Sequence, residues 1–379
     1  MFPGALHKNI LSLIRRTGKM KSKIVMMILV VTILATMGLV GCKQQQQSAS
    51  AVTASGNPAI GDPSRANQEY VWISQFSSLP TFVERVYPAL ERFAHDYGVK
   101  VRVAGPSTVD LAGFITTVEQ EAAKRPAGII VVGGWDDSLT EPVNKAIAMG
   151  VPVIVNDGDL PESNRLAYCG TDWYELGVLY AKIQLDLHSK AGLNRGEVAI
   201  ICPVNSGAMQ EAINGFKDTI DRTFLRLATV EDNQSQIDVA AQRTSAVISA
   251  YPNLSGIVAL DTESGPGIVA AVDEMRKTGQ LILTLQESGR EFLDTVREGR
   301  VQLILMERYD IMNYMALTYL YYWHNKVLNY GNMDPWKNNW IPDTFNSGVI
   351  LVTKEKVDEI ISAMDAEAQA AKNLTVYKN

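Results

Sequence analysis

Short apolar runs alternate with amphipathic stretches along most of the chain from residue 70 onward. Runs of this length, rich in Val and Ile, are typical of strands that a sheet buries on both faces. The predicted strands of this first set are Tyr70–Ser74, Val99–Ala104, Gly128–Val132 and Val151–Val155. The stretches between them predict helices at Pro80–Tyr97 (kinked at Pro88), Asp110–Lys124 and Ser138–Met149. Strands joined in turn by helices indicate a parallel sheet.

The same alternation starts again after a strand at Leu166–Cys169. Further strands are predicted at Glu197–Cys202, Leu225–Val230, Gly256–Leu260, Leu281–Leu285, Val301–Met306 and Ser347–Val352. Helices are predicted at Trp173–Leu187, Gln210–Thr219, Ile237–Ala250, Gly267–Lys277 and Tyr309–Leu328, with another at the C-terminus. The pattern predicts an α/β protein with two Rossmann-like lobes and several chain crossings between them, and one large sheet is the alternative. A length of 379 residues is enough for two or three domains.

Polar side chains follow many of these strands at the point where each strand ends. The candidate positions are Gln75, Trp135, Asp136, Asp157, Asp261, Gln286 and Glu307. Open α/β sheets bind ligands at the carboxyl ends of their strands, so these side chains would line one cleft if the two sheets face each other. For Asp157 the alternative is an ordinary turn, since Asn-Asp-Gly-Asp is also turn chemistry. Arg165 is expected to pair with Asp157 or with Asp159, which would hold this acidic loop in place.

This set of residues fits a neutral ligand that carries several hydroxyl groups. Carboxylates and amides form multiple hydrogen bonds with hydroxyls, and the bonds to charged groups are the stronger ones. Phe82 or Trp135 could cover the apolar face of a sugar ring, and core packing is the alternative for each of them. Basic residues are scarce at the strand ends, which argues against a phosphorylated or carboxylate ligand.

Several other classes of function are disfavoured by the composition. A net charge of −6 gives no electrostatic reason to expect nucleic acid as a partner. The four histidines are scattered, so we predict no metal site. We find no dinucleotide-binding glycine motif, phosphate-binding loop or nucleophile elbow, and therefore predict no cofactor, no catalytic residue and no enzymatic activity.

The N-terminal region has the pattern of a targeting segment. Two lysines precede an apolar run, Ile24 to Val40, which ends in Leu-Val-Gly-Cys at Cys42. This resembles a bacterial lipoprotein signal over residues 1–41 and implies cleavage before Cys42, lipid attachment to it and an extracytoplasmic body anchored to the membrane. A plain N-terminal membrane anchor is the alternative, and translation could begin at Met1 or Met20. Residues 42–68 are poor in large apolar side chains and predict a flexible linker.

Two further cysteines, Cys169 and Cys202, follow short apolar strand-like runs. Positions of this kind favour buried free thiols. In an exported protein a disulfide between them is the alternative, because the compartment is oxidising.

Five segments together resemble the sugar-type periplasmic binding proteins of fold type I, the solute receptors of ABC importers related to the ribose-binding protein. They are ISQFSSLPTFVERV, PAGIIVVGGWDDSLTEPVNKAIAMGVPVIVND, INGF, YPNLSGIVALD and NSGVILVTKEKVD. The resemblance implies two Rossmann-like lobes joined by a three-strand hinge. The N-terminal lobe would comprise residues 69–171 and 308–335, and the C-terminal lobe residues 172–307 and 336–379. The segment NDGDLPESNRLAYCGTD is most similar to the branch of autoinducer-2 and rhamnose receptors.

The resemblance also implies a ligand set and a role. By motif position the ligand residues are Gln75, Phe82, Asp157, Gln210, Asp261, Gln286 and Glu307. The chain would act as a monomer that captures a neutral monosaccharide or polyol and delivers it to an ABC permease and its ATPase. A sugar or autoinducer sensor for a chemoreceptor or kinase is the alternative, and an exported enzyme a remote one. Gly158 and Gln210 replace arginines of the ribose receptor, and Gln75 replaces a lysine of the autoinducer-2 receptor, so neither of those ligands is expected.

Overall fold

Two six-stranded sheets with helices against both faces form the body of the protein. The computed structural model describes residues 62–79, 81–108, 110–133, 137–287, 289–327 and 341–371. The predicted signal segment, Cys42, Trp135 and Asp136 lie outside these ranges. Within them, no helix combines the length and the apolar character that a membrane span requires.

The first sheet is entirely parallel. Its strands are β1 (Glu69–Ile73), β2 (Lys100–Ala104), β3 (Gly128–Gly133), β4 (Val153–Asp157), β5 (Ala167–Gly170) and β11 (Thr344–Asn346). Their order across the sheet is β11-β5-β4-β3-β1-β2. Every residue of β3, β4 and β5 is buried, as expected for strands whose sequence is apolar without alternation.

The second sheet repeats this arrangement with one antiparallel edge strand. Its strands are β6 (Gly196–Cys202), β7 (Leu225–Asp232), β8 (Leu254–Ala259), β9 (Ile282–Gln286), β10 (Leu303–Glu307) and β12 (Val349–Val352). The order is β12-β10-β9-β8-β6-β7, and β12 runs antiparallel to β10. The predicted α/β class with two parallel-dominated sheets is therefore confirmed, and the alternative of one large sheet is wrong.

Ten α-helices connect and cover these strands in the described part of the chain. They are α1 (Tyr87–Tyr97), α2 (Leu111–Ala123), α3 (Thr140–Ala148), α4 (Trp173–Lys190), α5 (Gly207–Ile220), α6 (Ile237–Ala250), α7 (Ser264–Glu274), α8 (Asp294–Arg297), α9 (Tyr309–His324) and α10 (Val357–Ala371). A π-helical segment, Phe82–Val86, leads directly into α1, and Pro88 lies in the first turn of α1. Proline cannot donate to the carbonyl four residues earlier, and the helix changes from π to α just before Pro88.

The chain passes between the two sheets three times. It leaves the first sheet after β5 to form α4, which packs on the second sheet, and returns after β10 to form α9, which packs on the first. The third crossing lies between β11 and β12. The predicted position of that crossing is near residue 336. Thr344–Asn346 still pairs with β5 of the first sheet, so the crossing lies after residue 346.

The ordered body begins before residue 69, where the predicted linker was expected to end. Residues 63–65 form a 3-10 turn, and the Arg65 guanidinium donates to the Tyr321 hydroxyl at 2.8 Å. Gln68 and Asn325 exchange amide hydrogen bonds of 2.7 and 2.9 Å. The linker prediction is therefore wrong for residues 62–68, because their polar side chains find partners on and just after α9.

The two body cysteines belong to different sheets, Cys169 to β5 and Cys202 to β6, and both are free thiols. The favoured interpretation of buried free cysteines is confirmed. Burial raises the pKa of the Cys169 thiol to about 12.

Helices α4 and α5 approach closely through two glycines. A Cβ atom on Gly177 would lie 1.9 Å from the Ala212 carbonyl oxygen, and one on Gly215 would lie 2.1 Å from the Tyr174 carbonyl oxygen.

We expect Gly177→Ala to lower the free energy of unfolding by about 1–3 kcal/mol, because overpacking would force the helix backbones apart. Urea unfolding measures this change. Gly207→Ala is the control, since a Cβ there meets no atom within 4 Å, and equal midpoints for both variants would contradict the close packing.

Candidate ligand-binding site between the two sheets

A cavity of about 660 Å³ lies at the carboxyl ends of strands from both sheets. From the first-sheet side it is lined by Gln75, Phe76, Ser78, Leu79, Thr81, Phe82, Ser107, Thr108 and Asp157. From the second-sheet side and the crossings it is lined by Trp173, Pro203, Asn205, Ser206, Met209, Asp232, Gln234, Ser235, Leu260, Asp261, Thr262, Glu263, Gln286, Glu307 and Tyr309. The structure thus brings together six of the predicted positions, namely Gln75, Phe82, Asp157, Asp261, Gln286 and Glu307.

Asp157 ends β4 in a conformation that few residues other than glycine adopt. Its φ is +69°, and its carbonyl oxygen accepts hydrogen bonds from the Tyr168 hydroxyl at 2.6 Å and the Trp173 indole at 3.1 Å. The residue is only 4% exposed, and its Oδ1 has no hydrogen-bond partner among the described residues. Strained backbone of this kind is typical of functional sites, where surrounding contacts hold it in place. Burial raises the pKa of the Asp157 carboxyl well above its usual value, and the nearby Glu307 and Glu263 raise it further.

Glu307 ends β10 and joins two of the chain crossings. Its Oε1 accepts a hydrogen bond from the Thr171 hydroxyl at 2.5 Å. Its Oε2 accepts from the Gln286 amide at 2.8 Å and from the Tyr309 hydroxyl at 3.0 Å. Burial raises the pKa of Glu307, while these three donors act in the opposite direction. The carboxylate therefore links the segment before α4, strand β9 and the start of α9.

Asp261 follows β8 and is held by partners of its own sheet. Asn233 Nδ2 donates to Oδ2 at 2.7 Å, and the Ser264 hydroxyl lies 2.6 Å from Oδ1. Burial raises the pKa of Asp261 well above its usual value, and the neighbouring Glu263 adds to the rise. Asp261 is thus a fixed acceptor at the cavity wall.

Phe82 serves both the core and the cavity. Its ring packs edge-on against Trp72, with centroids 5.2 Å apart, and stacks on Phe76 at 5.6 Å and 11° between planes. Phe76 also lines the cavity and was not predicted, although it directly follows Gln75 at the end of β1. The two alternatives considered for Phe82, ring contact and core packing, are therefore compatible in one side chain.

Gln210 is the predicted site residue that the structure places elsewhere. It is exposed on α5, its amide donates to the Val204 carbonyl at 2.6 Å, and it does not line the cavity. Ser206, at the N-terminus of the same helix, lines the cavity instead. The expectation for Gln210 came from motif position alone, which does not fix where a flexible side chain points.

Arg165 pairs with Asp159 and not with Asp157. Its Nε and a terminal nitrogen donate to the two Asp159 oxygens at 2.5 and 2.7 Å, and the other terminal nitrogen reaches Asp343 at 2.9 Å. This pairing leaves the Asp157 carboxyl free to face the cavity.

Five carboxylates line the cavity. They belong to Asp157, Asp232, Asp261, Glu263 and Glu307. None of the described residues that line it is Lys, Arg or His. Throughout the described ranges, no group of three or more His, Cys, Asp or Glu side chains is arranged to hold a metal ion. The site is therefore rich in acidic side chains and hydrogen-bond acceptors, with no basic side chain among the described lining residues.

The buried carboxyls predict how the stability of the unliganded protein depends on pH. The pKa values of Asp157, Asp261 and Glu307 are raised above the ordinary 3.8 and 4.5, so the folded state holds their protons more tightly than the unfolded state. Their contribution to stability is present below those ordinary values and is lost as pH rises through the raised ones. We expect the double variant with Asp157→Asn and Asp261→Asn, measured without ligand, to lose less stability than the wild type as the pH rises through this range. Thermal denaturation at a series of pH values measures this, and parallel profiles would contradict it.

Two α/β halves that share three chain crossings and enclose a cavity with carboxyl and aromatic side chains at their strand ends define the class of bilobal solute-binding proteins. The chain belongs to the family described as periplasmic binding protein domain, whose sequence profile matches residues 70–325. The resemblance to the sugar-type, type I members is confirmed.

Individual relatives agree with this assignment. The chain is 29% identical to the sugar-binding protein of a sugar ABC transporter from Bacillus halodurans, with a TM-score of 0.71 over 77% of this chain and 99% of that one. It is 26% identical to the arabinose-binding protein AraP from Geobacillus stearothermophilus, with a TM-score of 0.69 and the same coverage. A curated D-ribose/D-allose-binding protein from Pseudomonas aeruginosa is 23% identical over 200 residues, 51% of this chain and 61% of that protein. The chain thus spans about three fifths of that curated relative.

Proposed function

We propose that this protein captures a monosaccharide or polyol between its two sheets and delivers it to an ABC permease. The observation that carries the proposal is the set of buried acceptors from both sheets, Asp157 on one side and Asp261 and Gln286 on the other, around one cavity. Hydroxyl groups of a sugar would donate to these acceptors. The stacked pair Phe76 and Phe82 offers an apolar surface for the ring face.

The size of the cavity and the named relatives support the same ligand class. A volume of about 660 Å³ is within the roughly 300–1,000 Å³ typical of small-molecule sites. It leaves room for a ring and for waters that bridge it to the wall. Both structural relatives named above are more than 25% identical to this chain, and they are described as an arabinose-binding protein and a sugar-binding protein of an ABC transporter.

Capture would proceed by closure about the three chain crossings. A ligand that contacts both sheets binds the closed form better than the open one and shifts the population towards it. Glu307 lies at two of the crossings and also lines the cavity, so it would couple ligand binding to the hinge. No covalent step is part of this function.

The cellular setting belongs to the same proposal. Lipid attachment at Cys42 would hold a monomeric body outside the cytoplasm, tethered to the membrane beside its permease and ATPase. Globomycin, which blocks lipoprotein signal processing, would then cause the precursor to accumulate in cells. A Cys42→Ser variant would be released from the membrane or left unprocessed.

A ligand screen tests the central claim. Native mass spectrometry of the purified protein would identify any co-purified sugar, and a thermal-shift screen of pentoses, hexoses and polyols would rank the candidates. We expect at least one to raise the melting temperature in a concentration-dependent way. A screen in which no sugar or polyol stabilises the protein would count against the function. Delivery itself is measured by stimulation of the permease and ATPase in proteoliposomes.

A further inference from the structure

Three buried polar atoms of residues that line the cavity have no hydrogen-bond partner among the described residues: Asp157 Oδ1, Gln286 Oε1 and the Ser206 hydroxyl. Asp157 and Gln286 are 4% and 3% exposed. These two residues line the cavity from β4 of the first sheet and from β9 of the second. Buried polar atoms in native proteins nearly always have partners, so a ligand is expected to supply partners for Asp157 and Gln286.

The orientation of the Gln286 amide is fixed by its neighbour. Its Nε2 donates to Glu307 Oε2 at 2.8 Å, and that carboxylate also accepts from Thr171 and Tyr309. The amide therefore presents its oxygen, and not its nitrogen, as the free atom. With the Asp157 carboxyl ionised, Asp157 Oδ1 and Gln286 Oε1 can only accept hydrogen bonds, and the ligand would supply the donors to both.

The charge of the site indicates which chemical group of the ligand donates to Asp157 and Gln286. Glu307 is matched by three donors and Asp261 by Asn233 and Ser264, while no described residue donates to Oδ1 of Asp157. A hydroxyl brings one proton and no charge, so it would leave a buried carboxylate without a counter-charge, which is costly. A protonated amine brings three protons and a positive charge, and hydrogen bonds between charged partners are roughly twice as strong as neutral ones.

We propose that the preferred ligand is an amino sugar whose protonated amine binds between Asp157 and Gln286, a refinement that rests on the sugar-binding function proposed above. The hydroxyls of the sugar donate to the remaining acceptors, and Phe76 and Phe82 contact the ring. The other carboxylates at the wall, Asp232 and Glu263 among them, add a negative potential that favours a cationic ligand.

Paired ligands test this directly. Isothermal titration calorimetry near neutral pH would compare D-glucosamine, D-galactosamine and D-mannosamine with D-glucose, D-galactose and D-mannose. We expect at least one amino sugar to bind about tenfold or more tightly than its parent, which corresponds to about 1.4 kcal/mol. Neutral sugars that bind as tightly as their amino counterparts, or more tightly, would overturn the inference and leave the sugar-binding function standing. If none of the six sugars binds, the amino-sugar inference is overturned, and the sugar-binding function is judged by the wider screen of pentoses, hexoses and polyols.

A charge-removing variant locates the amine. Asp157→Asn preserves the shape of the side chain, and asparagine tolerates the positive φ of this position. We expect it to reduce the ratio of amino-sugar to parent-sugar affinity by about tenfold or more, which is again about 1.4 kcal/mol. Glu162→Gln removes one charge from an exposed residue of the same loop and should leave the ratio unchanged. An unchanged ratio in Asp157→Asn would overturn the assignment of the amine to Asp157.

Discussion

Replacing Glu307 with alanine is expected to lower the free energy of unfolding by about 2–4 kcal/mol, the largest stability effect that we predict for a single side chain of the site. The substitution removes the shared acceptor of Thr171, Gln286 and Tyr309. Each buried donor left without a partner costs about 1–3 kcal/mol. The net loss is less than three such costs, because the variant also removes a buried charge that lies near Asp157.

Urea unfolding followed by tryptophan fluorescence would measure this difference. Glu298→Ala is the matched control, because Glu298 is exposed and its carboxylate accepts a hydrogen bond from Arg300 at the surface. Its substitution should change the stability by no more than about 0.5 kcal/mol. Equal stability of Glu307→Ala and the wild type would mean that relief of repulsion fully offsets the lost hydrogen bonds, and Glu307 would then not hold the crossings together.

Asp157→Ala and Asp261→Ala are expected to weaken sugar binding by about 1–3 kcal/mol each, or roughly fivefold to 150-fold. Asp157 Oδ1 is buried without a partner among the described residues, and the ligand would donate to it, so loss of this side chain acts directly on the bound state. Asp261 is already bonded to Asn233 and Ser264, so its removal also leaves these two groups without their acceptor. The two residues lie on opposite sheets, and each is required for a ligand that bridges them.

Titration calorimetry with the sugar found by the screen would measure both affinities. Asp186→Ala, an exposed change on α4, is the control and should leave binding unchanged. Because alanine is strained at the φ of +69° found at residue 157, the melting temperature of each variant should be recorded first. Wild-type affinity in both site variants would show that the ligand binds elsewhere.

The sequence alone was sufficient for the fold class and for much of the site. Uninterrupted apolar runs such as those at β3 and β4 can only be buried on both faces, which requires a parallel sheet covered by helices. Residues that follow the strands of a parallel sheet share one edge, and if the two sheets face each other the residues at both edges line one cleft. The structure places Asp157, Asp261 and Glu307 at one cavity in this way. The resemblance carried by the motifs identified the same family that the comparisons confirmed.

Other features depended on distances between residues that are far apart in the chain. Phe76 and Glu263 each lie one or two positions from a predicted site residue, but only their packing shows that they line the cavity. Residues 62–68 were expected to be flexible because of their polar composition, yet Arg65 and Gln68 are held by side chains more than 250 positions away.

The hydrophobic pattern of this chain determines which strands and helices form and which ends of them meet, because burial acts on each segment locally. The tertiary structure decides which polar atoms are satisfied, since a hydrogen bond needs two partners at contact distance. Gln286 illustrates the difference: its position after a strand is readable from the sequence. That its oxygen is buried without a partner follows only from the tertiary structure, in which its nitrogen bonds to Glu307.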